Sequence, residues 1–357
     1  MDHSLIRLRS LPFQIIRFGT SVILKRGCTE IRFQGAHYAD RLALFLELSR
    51  SSSTEQDILA RIEERDRPET LAMLRLLQAK QIVIPTSAGE SGSPVPETPL
   101  DIFNWHFRPQ DQHSMPKPQS RHIVLLGDNR LARDLSETLA LSGFRHVTAV
   151  EDPLRGDPRT RGRSEPEPIH SPTKWRPIPY ETWIQQIDWK NVDCLVATSD
   201  AGGRDLLREW NELAIHHHCH FLPVVLQDVI GFIGPLVVPG ETACYECLIA
   251  RENSHLDDPG VRRAIERAAP EGRHVVGYHP LMISVLSGVA AFELVKLYGE
   301  MVAALNVGTL IEVNLLGTRM TTRKVLRIPR CRVCSSLLEQ PSISIHKPNT
   351  TSKAPGI

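Results

Sequence analysis

The sequence lacks an excess of charge of either sign: 42 Lys and Arg stand against 41 Asp and Glu in 357 residues, a formal net charge of +1. So balanced a chain has no broad field to draw nucleic acid or an anionic membrane, which leaves small molecules, peptides and proteins as partners. It has no uninterrupted apolar run approaching the ~20 residues that cross a bilayer. Its start, MDHSLIRLRSLPFQIIRFG, has neither the apolar core nor the small-residue cleavage site of a signal peptide. The expected location is the cytoplasm, with no membrane and no nucleic-acid partner. An even cysteine count is also missing. Of seven cysteines, four fall in two C-x-x-C pairs, which in a reducing compartment points to metal rather than disulfides. Cys28, Cys194 and Cys219 stand in apolar or strand-like contexts and read as ordinary buried thiols.

A chain of this length predicts two domains with connecting segments. Residues 1–85 read as a small α+β unit. FQIIRFG, SVILK and TEIRF are strand-like and separated by Gly19-Thr20 and Arg26-Gly27 turn signals. Three helices follow, near residues 38–50 with Leu42, Phe45, Leu46 and Ser49 on one face, after the Ser53/Thr54 caps with Ile58, Leu59 and Ile62 inward, and from Asp66-Arg67-Pro68 through Leu71, Leu74 and Leu77 to a strand-like QIVI. Three strands and three helices make a winged-helix pattern, a type that often binds DNA. Here the third helix opens Pro68-Glu69-Thr70-Leu71, acidic then apolar, which is poor chemistry for phosphates. Residues 1–85 hold 13 basic and 10 acidic groups, too small a balance for a strong counterion-release term. The sequence instead offers an edge strand over 29–33 beside the third helix, where a peptide strand can add. Residues 86–120 form a Pro/Ser/Gly-rich linker broken by LDIFNW, an apolar patch readable as an anchor to its own chain or as a helical turn docking on a neighbour. Residues 152–177 and the tail, 339–357, are polar, proline-bearing and expected to be mobile.

RHIVLLGDNRLARDLSETLALSGFRHVTAVED is organised as a nucleotide-binding βαβ start: a strand over 123–126, a turn, an amphipathic helix, a break at Gly143 and a strand ending in Glu151-Asp152. A phosphate-cradling turn needs residues without Cβ so that backbone N–H groups approach the phosphates. This chain keeps Gly127 and then reads Asp128-Asn129-Arg130-Leu131-Ala132, which puts a carboxylate and two bulky side chains where phosphates would sit. The fold signal is good and the nucleotide signal weak, so ATP and Mg2+ are not expected on this chain. Another strand over 192–197 ends in Thr198-Ser199-Asp200, and Asp200 has two readings, a magnesium ligand or a helix cap. A further strand spans 221–226. His216, His217, His218 and His220 before it lack convergent geometry and read as a helix end or solvated turn.

Cys244-Tyr-Glu-Cys247 and Cys331-Arg-Val-Cys334 each present two thiolates at a spacing that one tetrahedral ion accepts. Four soft ligands fill the sphere, so the expected zinc is structural and binds no substrate. IGPLVVPGETACYECLIARENSH, HPLMISVLSGVAAFELVKLYGE with Ala290, Glu293 and Lys296, and IPRCRVC together resemble the carboxyl half of the ThiF/MoeB-type, ubiquitin-activating-enzyme-like superfamily. That resemblance spans roughly residues 121–335 and implies a Rossmann-like α/β domain, 121–338, with structural zinc. It departs from the active family pattern G-x-G-G-x-G at the turn, and its ATP-binding Arg and Lys find only Arg155, Arg159 and Arg161 as candidates.

A winged-helix unit joined to such a degenerate domain resembles the leader-peptide-binding partner of azoline-forming cyclodehydratases in bacteriocin-like ribosomal peptide biosynthesis, with a PqqD-like recognition element. The resemblance implies a subunit with no catalytic residue of its own. It implies that a precursor's leader adds as a strand at Glu30, Ile31, Arg32 and Phe33, with Leu71, Leu74 and Arg75 lining the groove, and that a separate YcaO-type protein uses ATP to form the rings. For the leucines, core packing is the competing reading. A homodimer is a further expectation, and an ATP-dependent adenylyltransferase acting on a peptide is the alternative function.

Overall fold

The computed structural model describes residues 6–48, 52–86, 98–107, 118–152, 175–204, 207–268, 277–299, 301 and 305–335. It divides into two compact units, Met1–Met115 and Pro116–Ile357.

The first unit holds two three-stranded antiparallel sheets. The three sequence-predicted strands are β2 (Gln14–Phe18), β3 (Ser21–Arg26) and β4 (Thr29–Gln34), in the order β2-β3-β4. The second sheet, of which the strand-like QIVI anticipates only β6, places β1 (Arg7–Ser10) between the two-residue β5 (Ser53–Thr54) and β6 (Val83–Thr86). The helices are α1 (Tyr38–Glu47), α2 (Glu55–Ala60) and α3 (Arg67–Ala79). Thr54 starts α2 through a reciprocal capping box with Asp57, and Pro68 sits at the start of α3, where a missing N–H costs nothing. The core joins Val22 and Leu24 of β3 to Leu42 and Phe45 of α1 and Leu74 and Leu77 of α3. LDIFNW lies in α4 (Pro99–His106), capped by a Thr98–Asp101 box. Trp105 is buried in this same core, donates its indole N–H to the Gln81 carbonyl at 3.0 Å and carries the Arg26 guanidinium 4.6 Å above its ring. The patch is an anchor to its own chain. Cys28 departs from expectation: it sits at the exposed tip of the β3–β4 hairpin, beside Gly27 at φ +55°, because Arg26 pairs directly with Thr29 and leaves two residues to turn. Ser49 lies outside the described residues.

The second unit is built on one seven-stranded mixed sheet. Its strands are β7 (His122–Leu126), β8 (His146–Val150), β9 (Cys194–Ser199), β10 (His220–Gln227), β11 (Ile230–Ile233), β12 (Thr309–Asn314) and β13 (Arg319–Lys324), in the order β13-β12-β11-β10-β9-β7-β8. The β8-β7-β9-β10 part is parallel and the remainder antiparallel. Side chains alternate across the sheet, so Ile123 and Leu125 face α5 (Arg130–Leu141) and α10 (Pro280–Tyr298), while Val124 and Leu126 face the other layer. That layer holds α6 (Tyr180–Gln186), α7 (Leu207–His216) and α8 (Tyr245–Asn253). Burial on both faces explains the continuous apolar runs of β7, β9 and β10. The helix α9 (Pro259–Ala268) follows α8. By length and composition α10 would suffice to cross a membrane, contrary to the expectation of no such run. More than half of it is buried in this unit, and it carries the buried pair Glu293–Lys296. Cys194 and Cys219 are buried as expected.

Candidate functional site

The two C-x-x-C pairs are 87 residues apart in sequence and meet in space. Cys244 caps the start of α8 and Cys247 lies in its first turn, while Cys331 and Cys334 sit on the segment that leaves β13. The sulfur separations are 3.9 Å for Cys244–Cys247, 3.6 Å for Cys244–Cys331 and 3.6 Å for Cys247–Cys334, and all four sulfurs lie within 4.8 Å of one another. These are far too long for a disulfide of ~2.05 Å. They match the edge, ~3.8 Å, of a tetrahedron with metal–sulfur bonds of ~2.3 Å. The four cysteines therefore fit a metal ion with no open coordination position. Cys247 is already close to a thiolate, held down at about 5 because it accepts from the Cys244 thiol and from the Ile328 N–H at 3.4 Å; Cys244, donating to it and buried, is pushed up. An ion would take over the role of those protons.

Around the cysteines the intervening residues are cross-braced. Glu246, between Cys244 and Cys247, is buried and held in a fork by Arg208 of α7 at 2.5 and 2.6 Å. Arg332, between Cys331 and Cys334, reaches the same carboxylate at 3.2 Å. Tyr245 N–H donates to Asn211 at 2.9 Å, and Arg251 of α8 grips the Leu326 and Arg327 carbonyls at 2.8 and 3.1 Å. Sequence reasoning found the cysteines and missed this bracing, because Arg208 and Glu246 are 38 residues apart with no pattern joining them.

The turn after β7 is built around Gly127, at φ +140°, where an added Cβ would meet Thr198 Oγ1 at 2.4 Å and Asn129 Nδ2 at 2.6 Å. Asn129 caps α5. Its Oδ1 accepts from Ala132 N–H at 2.9 Å, and its amide donates to the Thr198 carbonyl and hydroxyl at 3.1 Å. Asp200, at the carboxyl end of β9, reaches back to accept from Arg130 N–H at 3.1 Å and from Tyr278 hydroxyl at 3.3 Å. It serves α5 as a carboxylate at the positive end of a helix. Asp128 accepts from the Trp175 indole at 3.1 Å. Two helix-end donors that a phosphate would use are thus taken by Asn129 and Asp200. Arg155, Arg159 and Arg161 lie outside the described residues. Among the histidines, His217 stacks on Trp189 at 3.9 Å and His220 bonds Tyr298 at 2.9 Å; among the described residues no metal-ligating group forms besides the four cysteines.

In the first unit β4 pairs with β3 alone among the described strands, so its other edge is open. Ile31 is half-buried and Phe33 buried, its ring 5.1 Å from Tyr38, while Glu30 and Arg32 are exposed, paired to Lys25 and to Ser21 Oγ. On α3 Leu71 is half-buried and Leu74 fully buried, and Arg75 points to Glu55 of α2 at 3.0 Å. Unforeseen in the sequence, Glu69 at the start of α3 accepts from Tyr38, Arg41 and His37 of the segment following β4. Those donors, the Tyr38 hydroxyl foremost, hold its carboxyl down at about 2.

No protein-family model matches the chain, and no characterised protein matches it by sequence. Its fold matches solved structures. The heterocyclase TruD aligns with a TM-score of 0.58 and 17% identity over 92% of this chain, which spans 43% of the TruD chain. E. coli MccB, solved with AMPCPP and MccA, aligns at 0.59 and 17% identity, covering 92% of this chain and 99% of MccB. MccB without them gives 0.61 at 16% identity, covering 92% and 97%. At these identities what the chain has in common with TruD and MccB is a fold.

Proposed function

We propose that this chain is the leader-peptide-binding, activating subunit of an azoline-forming cyclodehydratase in bacteriocin-like ribosomal peptide biosynthesis. It presents the precursor to a separate YcaO-type protein that uses ATP. The first unit acts as a winged-helix, PqqD-like recognition element. The second is a Rossmann-like, ThiF-type scaffold whose four cysteines hold structural zinc, and a homodimer of it is part of this reading. The observation that carries the proposal is the closed turn: Asn129 and Asp200 occupy the α5 donors that a nucleotide phosphate needs. The fold held in common with a heterocyclase, over 92% of this chain, supports the same reaction context. The open edge of β4 supports strand addition, with Glu30 and Arg32 exposed to a leader's polar side chains, the half-buried Ile31 and Leu71 within reach of its apolar ones and the buried Phe33 backing the strand. Leu74, fully buried, and Arg75, held by Glu55, act by supporting the groove.

The test has two arms on the full chain. A labelled leader from a short neighbouring Cys/Ser/Thr-rich reading frame should bind and protect the β4 amides from hydrogen exchange. ATP–pyrophosphate exchange should be absent with or without the peptide, and its appearance would overturn the reading. A second reading, an ATP-dependent adenylyltransferase acting on a peptide, is favoured by the equally extensive match to MccB, which was solved with ATP. Under it Asp200→Ala abolishes ATP-dependent turnover and leaves peptide binding intact.

A further inference from the structure

The seven-stranded sheet ends differently at its two sides. At β8 the edge is covered, because Ile178 bridges to it through Ile178 N–H to Ala149 O at 2.8 Å and Glu151 N–H to Ile178 O at 2.9 Å. At β13 no strand follows among the described residues, and five of its six residues are exposed. Thr321 and Thr322 give this edge strong strand character. From Arg319 to Arg332 the chain carries six basic residues and no acidic one, within a protein of nearly equal charge. Only part of that charge is cancelled. Arg323 pairs with Glu312 at 3.2 Å and Arg332 with Glu246, whereas Lys324 and Arg327 spend their donors on the Val307 and Thr242 carbonyls at 2.7 and 3.0 Å. Arg319 and Arg330 make no ion pair among the described residues. Met320 on the strand and Leu326 just beyond it are 52% and 61% exposed.

Charged residues along an edge block pairing with another copy, and this set does so, since like charges would face each other across the new ladder. The same set selects a partner of opposite charge. The edge is also held rigid: Val325 N–H donates to Gly308 O at 2.9 Å and Arg251 fixes the next two carbonyls. A pre-ordered edge spares a partner the entropy of ordering it. We propose that β13 is a docking strand for a partner protein, which adds a strand of alternating acidic and apolar residues, its carboxylates on the face of Arg319 and Arg323 and its apolar side chains on the opposite face, against Met320. This surface lies in the second unit and does not depend on leader binding at β4.

The test is fluorescence anisotropy of the full chain with a labelled short peptide alternating valine and glutamate, followed by hydrogen exchange. Binding should fall about tenfold or more in Arg319→Glu/Arg323→Glu, as like charges face each other. That variant should also gain affinity for the matching valine–lysine peptide, which shows it remains folded. Protection on binding should fall on β13. Protection on β4 instead, no binding at millimolar peptide, indifference to charge reversal, or equal displacement by a DNA duplex of the same charge would each overturn the proposal.

Discussion

Asn129 is the residue on which the closed turn rests. It caps α5 and ties the turn to Thr198 of β9, so Asn129→Ala should lower the stability of the second unit by about 1–2 kcal/mol, the usual cost of a lost cap. Urea unfolding followed by tryptophan fluorescence measures this, and an unchanged midpoint would remove Asn129 from that role. Glu69 gives a second prediction. Its carboxyl is held at about 2 by Tyr38, Arg41 and His37. A carboxylate lowered on folding contributes stability that is complete above its unfolded value of about 4.3 and is lost as pH falls toward 2. Glu69→Gln should therefore flatten the acid limb of the stability curve of the first unit between those values, and identical acid unfolding of the two proteins would contradict it. Spacing alone revealed the cysteines, because C-x-x-C is a local pattern. It gave no warning of Glu69, whose donors lie about thirty residues earlier.

At the scale of elements, α4 and the cysteine-bearing segments are held by a few anchors. Trp105→Ala removes a buried ring, an indole hydrogen bond and the seat of Arg26, and should cost the first unit about 3–5 kcal/mol in chemical denaturation. For the metal, elemental analysis should find one zinc per chain, lost in Cys247→Ser and Cys331→Ser, with a fall in the melting temperature of the second unit. A zinc-free protein with an unchanged melting curve would contradict a structural role. The periodicity of α1, α3 and α5 and the apolar runs of β7, β9 and β10 made these elements legible. The strands β1, β5 and β13 were not: the first two are four and two residues long, and β13 reads RMTTRK, exposed on both faces and without alternation. Their pairing is decided by distant partners, which a local pattern cannot report.

For the whole molecule the division into two units sets the expectation that damage in one leaves the other working. Under the proposed function, Cys331→Ser should uncouple the YcaO-type partner while leader binding by the full chain stays within about twofold of the wild type; loss of leader binding in a protein whose first unit still unfolds cooperatively would contradict that separation. The turn at Gly127 also bears on the redesign of the chain. Exchanging Asn129 for glycine would open room for phosphate, yet it would remove the cap of α5 and both ties to Thr198 before any ligand contact is gained. Exchanging Asp200 would free the Arg130 N–H and leave the asparagine in the way. Under the proposed function, each single exchange takes a cap or a tie from α5 before the turn is open, so building nucleotide binding by directed evolution would require paired changes selected together.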